Sequence, residues 1–307
     1  MRVRFFGVRG SIPTPGPSTV RYGGNSVCVE VQLADDTRIV LDAGTGIREC
    51  GKRIENEGYL GTIHLFITHP HWDHLIGLPF FSPLYRKDHR IQLHPMSAAG
   101  NERMRNPIMF DGEHFPVRFA DLPAQIELAP VERELRIGSA RITAIDLNHP
   151  GGAVGFRIDD DGGTSVCYLT DNELHPPAGQ VTTPAELARF ARGASLIIHD
   201  AQYLPADMPA KRGWGHSVVD DVLALACDAE ARAVALHHHD PDRDDAALDA
   251  IASEAAAWAR AHARSLETVV AREGLSIDLA TGLTADPSAD HAGELRPSRS
   301  SRDPRPA

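Results

Sequence analysis

The stretch Thr68-His69-Pro70-His71-Trp72-Asp73-His74 constrains this chain more than any other. It places three imidazoles and a carboxylate within six consecutive residues. Directly before it, Ile63-His64-Leu65-Phe66-Ile67 reads as a buried strand. A strand that ends in such a cluster directs its donors out of a sheet edge. His69 and His71 stand two apart, so extended backbone projects both to one side, where they can grip one cation. Asp73 and His74 follow as the chain turns, and a hard oxygen with another nitrogen there favours a second ion beside the first. A solvated, His-rich turn has the same composition, but four donors immediately behind an apolar strand weigh against it.

A metal pair needs more than four donors, and three later places supply them, each where an apolar strand ends. Asn148-His149-Pro150 follows Ile145, Thr170-Asp171-Asn172 follows Leu169, and His237-His238-His239-Asp240 follows Leu236. Taken alone, His149 reads as an ordinary surface or core histidine and Asp171 as a turn residue. Three donors at strand ends that can converge on one sheet edge turn the reading toward coordination.

The bulk numbers bound what such a centre can serve. With 31 basic and 42 acidic residues the formal charge is −11, which argues against a generic nucleic-acid surface, because phosphate backbones are held mainly by Lys and Arg. Cys28, Cys50, Cys167 and Cys227 form no CxxC pair, so a zinc ribbon and a disulfide framework are both set aside and a reducing cytoplasm is expected. No signal-peptide pattern opens the chain and no run of about eighteen apolar residues occurs, so no membrane span is expected.

In chain order, Val3 to Val8 reads as a strand, followed by the Pro- and Gly-rich loop Arg9 to Pro17. Val27 to Val31 and Arg38 to Leu41 flank a hairpin tip at Asp35-Asp36, giving a β-meander. Asp42-Ala43-Gly44-Thr45-Gly46 closes that strand and opens a helix through about Glu57; Asp42 can cap this helix or serve another role. No Gly-Lys-Ser/Thr follows, which excludes a P-loop. Leu75 to Leu78 suggests a helix start and Ile91 to His94 a strand, while residues 97–123, with Met104, Met109, Phe110, Phe115 and Phe119, read as a cover over the site or a packing segment. Ile126-Glu127-Leu128, Arg136-Ile137, Arg141 to Ile145, Val154 to Ile158 and Ser165 to Leu169 form a second meander. The last third alternates helices (184–192, 217–226, 244–262) with strands (195–198, 233–236), and the last helix repeats Leu248, Ile251, Ala255 and Trp258 at helical spacing. Residues 1–280 read as one domain and the chain from about 281 as a disordered tail.

The order His69-x-His71-x-Asp73-His74, then His149, Asp171 and a His after a final strand, resembles the metallo-β-lactamase superfamily over roughly residues 1–280. The resemblance implies an α/β fold: a four-layer αβ/βα sandwich of two mixed β-sheets flanked by helices. It implies two divalent metal ions, Zn²⁺ foremost and Mn²⁺ as the alternative, since His and carboxylate donors without Cys suit both. His69, His71 and His149 correspond to the ligands of the first, and Asp73, His74 and His238 to those of the second. Asp171 corresponds to the bridging carboxylate. Asp42 is similar to the superfamily's early aspartate that supports the ligand loop. The triple His237-His238-His239 leaves the register open, and the family's spacing from the last aliphatic residue favours His238.

His199-Asp200-Ala201 and Gly215-His216-Ser217 are similar to the branch containing the tRNA 3′-processing endonuclease and related phosphodiesterases. There the second histidine assists phosphodiester cleavage and an acidic residue orients it, roles that fall here to His216 and Asp200; the acid is Asp where the endonuclease has Glu. The short spacing from His149 to Asp171 leaves no room for a tRNA-grasping arm. With the acidic charge, this argues against the tRNA enzyme itself. The start Phe5-Phe6-Gly7-Val8-Arg9-Gly10-Ser11 instead resembles bacterial phosphodiesterase-like members of the branch, and the resemblance implies a small or cyclic phosphodiester substrate, no extended nucleic-acid surface and no membrane, with a homodimer allowed. Two cations lower the pKa of a water held between them and neutralise phosphoryl oxygens. Asp73 is then expected to hold that water's proton besides ligating, and His216 to donate to the leaving oxygen. Hydrolysis of a lactone, β-lactam or other carboxylic ester is the alternative chemistry, and a catalytically idle binding module the alternative class.

Overall fold

The protein is described from a computed structural model covering residues 1–95, 110–129, 133–262 and 265–285. Residues 96–109, which hold Met104, Met109 and about half of the expected cover, and the expected tail beyond residue 285 lie outside the described residues. The first meander forms as expected: β1 (Arg2–Gly7), β2 (Cys28–Gln32) and β3 (Arg38–Leu41) run antiparallel. Asp36 takes a left-handed φ of 69° at the hairpin tip, a conformation Asp tolerates better than most residues. Helix α1 (Ile47–Asn56) then returns the chain, so that β4 (Thr62–Ile67) lies parallel to β3, and β5 (Arg90–Pro95) parallel to β4.

Two expectations fail here for identifiable reasons. Ile126-Glu127-Leu128 does not open the second meander; as β6 (Gln125–Leu128) it pairs parallel with β5, closing the row of backbone groups that β5 would otherwise leave open. No α-helix begins at Leu75. The chain makes short 3₁₀ turns at Leu78–Phe80 and Ser82–Tyr85, because Pro79 and Pro83 cannot donate to a helical ladder.

The second sheet starts with the antiparallel strands β7 (Glu134–Ile137), β8 (Ala140–Leu147), β9 (Ala153–Asp160) and β10 (Ser165–Leu169). It continues with the parallel strands β11 (Leu196–Asp200), β12 (Ala233–His237) and β13 (Glu267–Val270). Helices α2 (Pro184–Phe190), α3 (Val219–Asp228) and α4 (Asp245–His262) make the crossovers. Thr183 and Glu186 start α2 with a reciprocal capping box, satisfying two backbone donors that a helix leaves open. β14 (Ser276–Asp278) and β15 (Gly282–Ala285) return to the free edge of β1, so residues 282–285, expected in the tail, belong to the first sheet. Among the described residues the first sheet is ordered β15-β14-β1-β2-β3-β4-β5-β6 and the second β13-β12-β11-β10-β9-β8-β7.

The core divides into three clusters that define the layers. Phe5, Val31, Leu41 and Phe66 from the first sheet meet Phe156, Ile158, Tyr168 and Ile198 from the second. Ile47, Cys50 and Ile54 of α1 pack on the outer face of the first sheet. Leu187, Val222, Leu248 and Ile251 of α2 to α4 cover the outer face of the second. Both sheets are mixed and each carries helices outside, which is the four-layer αβ/βα sandwich expected from the sequence. Among the described residues no helix is long and apolar enough to cross a membrane.

An imidazole pair beside this core, His94 buried and His64 half-buried, makes stability depend on pH. His64 Nδ1 and His94 Nε2 lie 3.3 Å apart, and His94 stacks on Phe66 at 4.2 Å. Burial pushes His64 down to about 4, and burial with the neighbouring His64 pushes His94 down to about 3, from an ordinary value of 6.5. Both rings therefore fold neutral, and the unfolded chain binds their protons first as the solution is acidified. Their contribution is intact above pH 6.5 and is lost as the pH falls through about 4 and 3. Denaturant melts of His94→Gln at neutral and acid pH should lose less stability across that window than the parent; equal losses would refute this assignment.

Candidate metal centre

Strand ends deliver every donor to one place. Asp42 follows β3, His69 to His74 follow β4, His149 follows β8, Asp171 follows β10, and His238 follows β12. Asp42, Asp171 and His238 all have left-handed φ values, 62°, 57° and 57°. Non-glycine residues rarely take this conformation, which costs roughly 1–2 kcal/mol. At these three bends it turns the side chain back over the sheet edge.

The donors form two groups that share one residue. Donor atoms of His69, His71, His149 and Asp171 lie within 4.8 Å of one another, and so do those of Asp73, His74, Asp171 and His238. The two oxygens of Asp171 divide between the groups. Oδ2 lies 3.4 Å from His69 Nε2 and 3.5 Å from His149 Nε2, whereas Oδ1 lies 3.2 Å from His74 Nε2 and 3.0 Å from His238 Nε2. Asp73 Oδ2 sits 3.3 Å from His74 Nε2 and 3.1 Å from His238 Nε2. All seven residues expected from the sequence are thus brought together.

The outer nitrogens are held by the scaffold. His74 Nδ1 meets Asp42 Oδ2 at 2.9 Å, His149 Nδ1 meets the Gly215 carbonyl at 2.9 Å, His238 Nδ1 meets Gln202 Oε1 at 2.8 Å, and His69 Nδ1 meets Thr68 Oγ1 at 3.1 Å. This leaves Nε2 of each ring facing the shared space; His71 presents Nδ1, 3.1 Å from His149 Nε2. Asp42 caps no helix: α1 begins after Gly46, and Asp42 accepts the Thr68 N–H (2.8 Å), the Thr68 hydroxyl (3.0 Å) and the Tyr168 hydroxyl (3.0 Å) besides His74. The His triple is likewise sorted by contact. His237 Nε2 binds the Gly7 carbonyl and His239 Nε2 the Ala271 carbonyl, while His238 alone points at the carboxylates. Gly10 passes so close that a Cβ there would lie 2.2 Å from His238 Nδ1, so this glycine is a packing requirement of the donor loop.

The donor set fits divalent cations on two observations. His69 Nε2 and His74 Nε2 are buried without a hydrogen-bond partner, a costly state unless a cation takes their lone pairs. The field of the cage also favours positive charge. Burial would raise Asp171 and Asp73, but the surrounding imidazoles hold both well below the usual carboxylate range. Burial would lower His74, yet Asp171, Asp73 and Asp42 raise it; burial and the other imidazoles push His69 down. Ionised carboxylates facing mostly neutral imidazoles are the ligand forms that metal binding needs.

Beside these groups, His216 Nδ1 lies 3.1 Å from Asp200 Oδ2, so the shorter acid reaches its partner. Asp200 also accepts the backbone N–H groups of Asn172 (2.9 Å) and Ser217 (2.8 Å). The His216 ring stacks on His238 at 4.9 Å and meets His149 at 5.2 Å. Sequence reasoning passed over Tyr168, Gln202 and Glu173. Tyr168 carried a signal, a hydroxyl inside the apolar run Val166 to Leu169; the other two act through contacts distant in the chain.

Residues 37–239 match the family described as the Beta-lactamase superfamily domain. Ribonuclease Z of Haloarcula marismortui is 24% identical over 283 residues, 78% of this chain and 86% of the relative. The metallo-β-lactamase fold protein YhfI from Bacillus subtilis superposes with a TM-score of 0.63 at 17% identity, over 90% of this chain and 99% of that one. Human tRNase Z, short form, superposes with a TM-score of 0.60 at 18% identity, over 91% and 99%. These relatives overturn the expectation of a small phosphodiester and no extended nucleic-acid surface: the curated one is named a ribonuclease and the solved one a tRNase. Net charge sums over the whole surface, whereas a polyanion samples the potential around the site, where Lys211 and Arg212 precede His216. The matched family, the two-sheet sandwich and the paired donor groups agree, and the chain belongs to the metallo-β-lactamase superfamily of hydrolases.

Proposed function

We propose that the protein hydrolyses phosphodiester bonds in RNA with two divalent cations, Zn²⁺ foremost and Mn²⁺ as the alternative, and that the expected domain of residues 1–280, extended through β15 to residue 285, forms its hydrolase domain. The observation that carries this reading is the pair of four-donor groups sharing Asp171, with an acid-held imidazole at their side. His69, His71, His149 and Asp171 would hold one cation, and Asp73, His74, His238 and Asp171 the other. Bound cations of this kind acidify water and neutralise phosphoryl charge.

The remaining chemistry belongs to the side chains. Asp73 Oδ2 accepts the Ser11 N–H at 2.7 Å, which fixes the carboxylate where it can hold a proton during attack. His216 commits Nδ1 to Asp200, so Nε2 is the nitrogen left to deliver a proton to the leaving oxygen. Burial would lower His216, but its bond to Asp200 and the charges of Asp200, Asp171 and Asp73 raise it, favouring the proton-bearing form.

His216→Ala should lower turnover of a single-stranded oligoribonucleotide by about 10²–10⁴-fold while the protein keeps its full metal content. Initial rates with metal analysis of the same preparation check this. Equal loss of metal and rate would contradict the role given to His216, and faster hydrolysis of a lactone than of bis(p-nitrophenyl) phosphate would contradict the reaction class.

A further inference from the structure

The turn Gly213-Trp214-Gly215 is locked to the metal centre on both sides, yet it holds its indole in solvent. Glu173, only 3% exposed, accepts the Gly213 N–H at Oε1 (2.9 Å) and the Gly215 N–H at Oε2 (3.0 Å). The Gly215 carbonyl in turn accepts from His149 Nδ1. Position 215 has φ +88°, and a Cβ there would lie 2.3 Å from His149 Nδ1, so only glycine fits where the turn meets this ring. Trp214 between these clamps is 56% exposed.

An indole normally recovers stability by packing its large apolar surface. Here the rigid turn prevents that and displays the ring two residues from His216. The Lys211 ammonium lies 4.3 Å from the Trp214 ring centroid and 5.6 Å from that of Tyr203, whose ring meets His216 edge-on at 5.7 Å. A second indole, Trp72, is 59% exposed between the donors His71 and Asp73. A pinned indole with a cation over one face matches the chemistry of a single nucleotide: a flat base to stack and a phosphate to pair.

We propose that Trp214 and Lys211 form a binding lip for the nucleotide flanking the scissile bond, the base stacking on the indole and the phosphate meeting the ammonium. This rests on the phosphodiester reading and adds how a single-stranded RNA end is gripped. Glu173 is a positioning residue, because it acts through the turn that carries the indole.

The test uses the full chain loaded with Zn²⁺ and carrying His216→Ala to suppress turnover. Its affinity for a fluorescein-labelled oligoadenylate is compared with that for an abasic strand of equal length, by anisotropy. Trp214→Ala should weaken oligoadenylate binding about 5- to 150-fold, the loss of one stacked base, and leave abasic binding unchanged. Trp214→Phe should stay within a few-fold of the parent. Lys211→Gln should weaken both strands and flatten the salt dependence. Unchanged oligoadenylate affinity in Trp214→Ala, or equal losses for the two strands, overturns the lip; if the wild type then still hydrolyses bis(p-nitrophenyl) phosphate, the phosphodiester reading survives. Absence of any diester hydrolysis by the wild type overturns that reading and the lip with it.

Discussion

Asp171→Asn should cost both cations and at least about a thousandfold in hydrolysis, several kcal/mol of barrier. The expectation follows from how the carboxylate is divided. Oδ1 faces His74 and His238, and Oδ2 faces His69 and His149, so one side chain contributes to both donor groups. An amide of the same shape replaces one oxygen with an NH₂ that cannot ligate, and it removes the charge that offsets a cation in a fully buried site. The neighbouring imidazoles would then face a donor where an acceptor had been. Metal content after dialysis and initial rates give the result, and retention of two metals per chain would show that Asp171 is not shared.

Asp42→Ala should cost about 3–5 kcal/mol of stability, lowering the melting temperature by about 10 °C. Asp42 is fully buried and receives four hydrogen bonds, from the Thr68 amide and hydroxyl, Tyr168 and His74. Removing it strands those donors in the core, and alanine must also occupy φ 62°. Asp42→Asn separates the two effects. It keeps an acceptor and tolerates the backbone, so more of the stability should remain, but His74 loses its carboxylate partner and metal affinity should fall about 10- to 100-fold. Thermal melts and a chelator titration read these outcomes. Near-parental melting of the alanine variant would mean that Asp42 does not anchor the ligand loop.

The donors were legible because each announces itself locally. Four sit in six residues behind a strand, and His149, Asp171 and His238 each follow an apolar run, so the topology only had to bring strand ends to one edge. The paired β-sheets were legible for the same reason, since alternation and hairpin signals such as Asp35-Asp36 act over a few residues. Contacts over long separations were not. Gln202 behind His238 and Glu173 behind the Trp214 turn are ordinary polar residues until the fold brings them to their partners. The β5–β6 pairing was missed because a short β-like run carries no record of which sheet it joins. The substrate class was misjudged because a summed charge of −11 and a short His149–Asp171 spacing were allowed to stand for the local surface.

The central claim is that two cations sit on either side of the Asp171 carboxylate. Anomalous diffraction from crystals of the full chain grown with Zn²⁺ tests it most directly. Two peaks are expected, one among His69, His71 and His149 and one among Asp73, His74 and His238, with Asp171 between them. A single peak, or peaks with Asp171 turned away from both, would contradict it.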